Sequence, residues 1–157
     1  MSLRYSALPA AEVARIRAGG LDAYGFPAER GVSDGSGLPC RHCLADIPEG
    51  RAMFTLAWRP FPVVQPYAET GPIFLCADCT RRDDGPRLPP ILAARPRAML
   101  RGYGPDHRIV YGTGAVVETA TFDAACAERL ERPDVAYLHL RSASNGCYLL
   151  RIDRAEA

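Results

Sequence analysis

The sequence predicts an α+β protein: a mostly antiparallel sheet with two short helices and a loop-rich, metal-clipped N-terminal half. Three observations carry this reading. Short apolar runs bounded by turn residues recur through the second half, and only two stretches keep a helical period. Two Cys-x-x-Cys pairs bracket a segment rich in proline and glycine. At 157 residues the chain fits one domain over 1–157, with the clip formed by 38–80 and the C-terminal sheet spanning 96–153.

The elements follow in order. "SLRYSAL" reads as a first strand, and "PAAEVARIRAGG" as a helix opened by Pro9, with Val13 and Ile16 on one face and glycines to stop it. Residues 20–39 are loop-like, with a short strand at "ERGVS". After the first cysteine pair, "DIPEG" turns into the strand "RAMFTLAW"; "RPFPVVQPYAETGP" is an extended loop, and "IFLC" a buried strand ending at the second pair. "RRDDGPRLPP" is read as loop, followed by strands "RAMLRGY" and "RIVYGTGAVVE" about the turn "GPDH". "TFDAACAERLER" is a helix with Thr121 as its expected N-cap. "VAYLHLRSAS" and "CYLLRID" flank Asn145-Gly146, a strong hairpin signal.

Composition excludes several classes of function. Nineteen basic against eighteen acidic residues leave a net charge of +1, so there is no basic footprint for nucleic acid. Seven arginines against three aspartates between 81 and 108 lack the regularly spaced aromatics of a strand-binding surface. Every cation is arginine, which rules out a Schiff-base lysine, a Ser-Lys dyad and a P-loop lysine. No apolar run approaches the ~20 residues of a membrane span, and the N-terminus has no signal-peptide pattern. The expectation is a cytoplasmic protein with no membrane partner, where a small anionic ligand or another protein is the partner to look for.

Six cysteines in a reducing compartment read first as metal ligands or redox centres. Zinc takes deprotonated sulfur or imidazole at the corners of a tetrahedron, and a Cys-x-x-Cys turn supplies two corners. Cys40 and Cys43 in "LPCRHCL" and Cys76 and Cys79 in "FLCADCT" therefore make an expected Zn2+ site. The segment between them runs out as a strand and back as another, which returns the chain to its start. His42 and Asp78, inside the two turns, are the alternative ligands. A thiol redox protein would place Cys-x-x-Cys at a helix N-terminus, but "DDGPRLPP" follows the second pair too closely for a helix. Four reduced, unpaired thiols are the plain alternative. Cys126, on the apolar face of its helix, and Cys147 are expected in the core.

Elsewhere, "GTG" leads into a strand rather than a helix, so it offers no anion site at a helix N-terminus. His107 is expected to be exposed in its turn. Tyr137, His139 and Arg141 share one face of a strand. They either form a polar outer face or line a pocket in which His139 acts as acid or base and Arg141 holds a small anionic substrate. No Asp or Glu is placed to complete a hydrolase triad.

"LPCRHCL", "PYAETGPIF", "RIVYGTG" and "VAYLHLRSASNGCYLLRID" together resemble a bacterial family, the domain of unknown function numbered twelve-oh-three. The resemblance implies a small cytoplasmic protein with no assigned activity, so no catalytic residue carries over. The functional expectation is a structural four-cysteine zinc site in a binding or adaptor module. The alternatives are an enzyme acting at Tyr137, His139 and Arg141, or a thiol redox protein.

Overall fold

The computed structural model describes residues 1–155. In chain order, β1 (Leu3–Ser6) and α1 (Ala10–Arg17) come first, then β2 (Glu29–Val32), β3 (Ala52–Trp58) and β4 (Gly71–Cys76). The second half adds α2 (Pro90–Ala93), β5 (Arg97–Tyr103), β6 (Ala115–Glu118), α3 (Phe122–Leu130), β7 (Tyr137–Ser142) and β8 (Tyr148–Arg154). The fold is α+β, as expected, but with two antiparallel sheets and three short helices. The larger sheet runs β1-β8-β7-β5-β6, and the smaller runs β2-β3-β4.

The alternation along β7 organises the larger sheet. Leu138 and Leu140 pair with Ile152 and Leu150 of β8. They join Leu100, Phe122, Cys126 and Leu130 in a core under α3. A period of two sends Tyr137, His139 and Arg141 to the opposite face. That face is covered as well: Phe61, from the loop after β3, packs on Tyr103 and Tyr137. Tyr148 joins a second core, with α1 and the smaller sheet, built around Ile47, Leu56, Ile73 and Leu75.

Several local expectations are corrected. "PPILAA" forms the four-residue helix α2, with Pro89 at its N-cap and Pro90 at its first position, where a missing N–H costs nothing. Of "RIVYGTGAVVE" only Ala115–Glu118 is strand. The Thr113 hydroxyl accepts the Gly102 N–H at 2.9 Å and donates to the Val110 carbonyl, turning the chain aside. Thr121 occupies the N-cap of α3 but makes no side-chain cap bond; its hydroxyl donates to Glu118 O at 3.2 Å across a 3-10 turn. The larger sheet also reaches beyond 96–153, because β1 pairs with β8 along its edge. His107 is half-buried, its Nδ1 3.0 Å from the Tyr137 hydroxyl. Cys126 is fully buried as expected, but Cys147 is only half-buried, in the turn before β8.

Candidate metal centre

Two turns meet at one edge of the smaller sheet. The first, Cys40–Leu44, closes by a hydrogen bond from Leu44 N to Cys40 O at 3.0 Å. Leu44 adopts φ +55°, a left-handed conformation that a non-glycine residue takes at a cost of about 1–2 kcal/mol. Its reward is burial: Leu44 is fully buried in the core under α3, whereas Cys40 belongs to the core around the smaller sheet. The turn thus joins the two cores. The second turn leaves β4 at Cys76, and the Arg41 N–H donates to Phe74 O at 3.1 Å, holding the turns side by side.

The four sulfurs of Cys40, Cys43, Cys76 and Cys79 lie within 4.8 Å of one another. Cys40 and Cys79 are 3.6 Å apart, and Cys43 and Cys76 4.0 Å. A tetrahedron with Zn–S bonds of ~2.3 Å has edges of roughly 3.8 Å, so the cluster fits such an ion. Backbone N–H groups of His42 and Cys76 donate to Cys40 Sγ at 3.4 and 3.3 Å. Hydrogen bonds from the Cys43 and Cys79 thiols add to this and hold Cys40 far below the ordinary thiol range. Burial pushes Cys76 up to about 12, and the hydrogen bond to Cys40 does the same for Cys79. Four thiols this close titrate as one coupled set, and a bound cation would favour loss of their protons.

The surroundings of the sulfurs are cationic. Arg17, at the end of α1, donates through Nη2 to Cys76 O at 3.0 Å and Cys79 O at 3.1 Å, and lies 3.4 Å from Cys79 Sγ. His42 is 5% exposed, with Nδ1 3.3 Å from Cys79 Sγ. Burial and then the Arg17 charge lower its pKa. It is a hydrogen-bonding neighbour of the cluster rather than a fifth corner. Asp78 points away, exposed and paired with Arg51 at 3.1 Å. Arg17 is the residue that sequence reasoning missed. Its helical position gave no sign that α1 would end against a turn about sixty residues later.

The second constellation is split. Tyr137, His139 and Arg141 stand on one face of β7, at 2%, 1% and 5% exposure. The shared pocket expected from them does not form, because Phe61 and Tyr103 lie against the His139 ring at centroid distances of 5.0 and 4.7 Å. His139 lines a cavity of about 700 Å³ and Arg141 an adjoining one of about 200 Å³; Tyr137 lines neither.

Fold and site together define a two-sheet α+β protein with a four-cysteine cluster in the core around the smaller sheet. The chain belongs to the DUF1203 family, described as a protein of unknown function, which matches residues 37–154. That span holds both cysteine pairs and four of the five strands of the larger sheet. Comparison with curated proteins and with solved structures found no match. No helix among the described residues is long and apolar enough to cross a membrane.

Proposed function

We propose that this chain is a small binding or adaptor module in which the four cysteines hold a structural Zn2+. The observation that carries this reading is the donor set: four sulfurs at tetrahedral spacing, supported by backbone N–H groups and Arg17. Soft thiolates in a tetrahedral array favour zinc among divalent ions. Four of them leave no position for a reacting water, so the metal's task is to hold shape. The thiol redox alternative has less support, since neither cysteine pair stands at the N-terminus of a helix. Metal analysis of untreated protein is expected to give one zinc per chain, and less than about half an equivalent would refute the proposal.

A further inference from the structure

Each sheet has two edges, and they differ in what meets them. β1 is closed by Gly85, which exchanges backbone hydrogen bonds with Tyr5. β4 is closed by Cys40 and Arg41, with the Arg41 N–H on Phe74 O. β2 and β6 have no strand beyond them among the described residues. An unpaired edge is a template for another strand, and folds blunt it with charge, proline, bulges or a covering segment. β2 has only the charges: Glu29, Arg30, Gly31 and Val32 pair with β3 in unbroken register, and all four are exposed.

Alternation fixes which backbone groups of β2 face outward. Ser33 donates to Arg51 O at 2.9 Å, so Ser33 faces β3, and Gly31 and Glu29 do the same two and four residues earlier. The far side of β3 agrees. The Ala77 N–H reaches Ala52 O at 3.0 Å, which turns Ala52 and Phe54 toward β4 and leaves Val32 and Arg30, opposite them, unbonded. The N–H and C=O groups of Arg30 and Val32 therefore aim out of the sheet, and those of Asp34 make no hydrogen bond among the described residues either. Arg30, Val32 and Asp34 fall on one face by the period of two, and Val32 is 68% exposed. Gly31 has no positive φ and nothing within 4 Å of where a Cβ would stand, so the chain's own packing does not require a glycine there. A glycine inside a strand often marks the close approach of another backbone.

A second copy of this chain fits the edge. Two β2 strands about a two-fold axis run antiparallel, and their outward groups meet in three registers. Centred on Arg30, the pairing sets like charges opposite each other; centred on Gly31, it sets Arg30 against Val32. Centred on Val32, it packs two exposed valines together and sets Arg30 of each copy opposite Asp34 of the other. Only that register joins opposite charges, and symmetry makes it do so twice. The β6 edge has no such match: its outward Val116 and Glu118 are flanked by Gly114 and Ala120, with no cation to meet the carboxylate. We propose that β2 is a self-association edge, through which two copies join their three-stranded sheets into one antiparallel sheet with Val32 on the two-fold axis. The contact is small and belongs to the weak, transient class of interface. This reading stands independently of the metal.

Sedimentation equilibrium of the full chain from about 10 µM to 1 mM, at constant ionic strength, is expected to show monomer and dimer with a Kd of about 0.1 mM. Val32→Pro removes an N–H that the chain's own ladder does not use, so it should fold and stay monomeric. Arg30→Asp and Asp34→Arg should each weaken association about tenfold. An equimolar mixture of the two should recover parent affinity, because each then meets the opposite charge across the axis. In the parent, exchange of the Arg30 and Val32 amides should slow as concentration rises while that of Gly31 does not change, which decides the matter if Val32→Pro fails to fold. A monomer up to the highest concentration, particles larger than a dimer, undiminished association of folded Val32→Pro, no recovery in the mixture of folded variants, or amide exchange independent of concentration each overturns the proposal.

Discussion

Removal of the clip is the perturbation whose size follows most directly from the structure. Cys40 and Cys79 are 39 positions apart in the chain and 3.6 Å apart in space. A cross-link closing a loop of that length removes chain entropy from the unfolded state worth about 4 kcal/mol. Net stabilities of domains lie at about 5–15 kcal/mol, so the clip is a large fraction of the whole. At 2–4 °C per kcal/mol for a chain of this size, its loss should lower Tm by about 8–16 °C. Cys40→Ser is the informative variant, because serine can still accept the N–H groups of His42 and Cys76 while giving up a metal ligand. The assay is thermal unfolding by circular dichroism, for the parent with and without excess chelator and for Cys40→Ser, with zinc content measured on each sample. Chelated parent and variant should melt together, well below the untreated parent. If both melt within about 2 °C of it, the cluster does not hold the fold together and the structural role is refuted.

Three other perturbations test the packing around the site. Burial, then the charges of Arg141, Arg151, Arg101 and His107, holds the His139 imidazole well below its ordinary pKa. The unfolded chain therefore takes up a proton near pH 6.5 that the native state refuses, and stability falls as pH drops below that value, by up to about 1.4 kcal/mol per unit. Urea unfolding of His139→Gln from about pH 6.5 to 4.5 should show a shallower decline than the parent, and parallel lines would contradict this. Gly102→Ala would bring a Cβ within 2.9 Å of Thr113 Oγ1 and 3.0 Å of Thr113 Cβ, so a loss of about 1–3 kcal/mol in denaturant unfolding is expected. Leu44→Ala empties a fully buried site and should cost about 2–5 kcal/mol by the same measurement; a loss below about 1 kcal/mol would deny that Leu44 joins the cores.

The cysteine cluster was legible because each pair is written in four consecutive residues, and a tight turn does the rest. The β7 strand was legible because its alternation is local too, and it correctly put Tyr137, His139 and Arg141 on one face. What lies over that face was not. Phe61 comes from a proline-rich loop whose sequence shows no periodicity, and it reaches β7 only because β3 and β4 carry that loop there. Thr113 misled in the other direction: a β-branched residue in an apolar run reads as strand, yet its hydroxyl takes the Gly102 N–H and ends the ladder. Cys147 was expected in the core by residue type, but it falls in the turn ahead of β8, where the hairpin leaves it half-buried.

The cysteine cluster and Trp58 occupy the two ends of one hairpin. Met53 of β3 pairs with Cys76 at the cysteine end, and Trp58 pairs with Gly71 at the other. Met53 and Trp58 stand five positions apart along the strand, about 17 Å, too far for the cysteine cluster to touch anything beside Trp58. Any influence must pass through the position of β3 and β4 against the larger sheet. That position has few other anchors at the cysteine end: the Arg41 N–H on Phe74 O, the Arg17 bonds to the carbonyls of Cys76 and Cys79, and Leu44 in the opposite core. Chelation below the melting temperature should therefore loosen the hairpin from that end before it disturbs β7 and β8, whose ladder lies within the larger sheet. Amide exchange is expected to speed up at Leu56 and Leu75 while Leu140 and Leu150 stay protected. Uniform loss of protection would mean that the two sheets unfold as one, and that the clip acts on the whole chain rather than on the layer carrying Trp58.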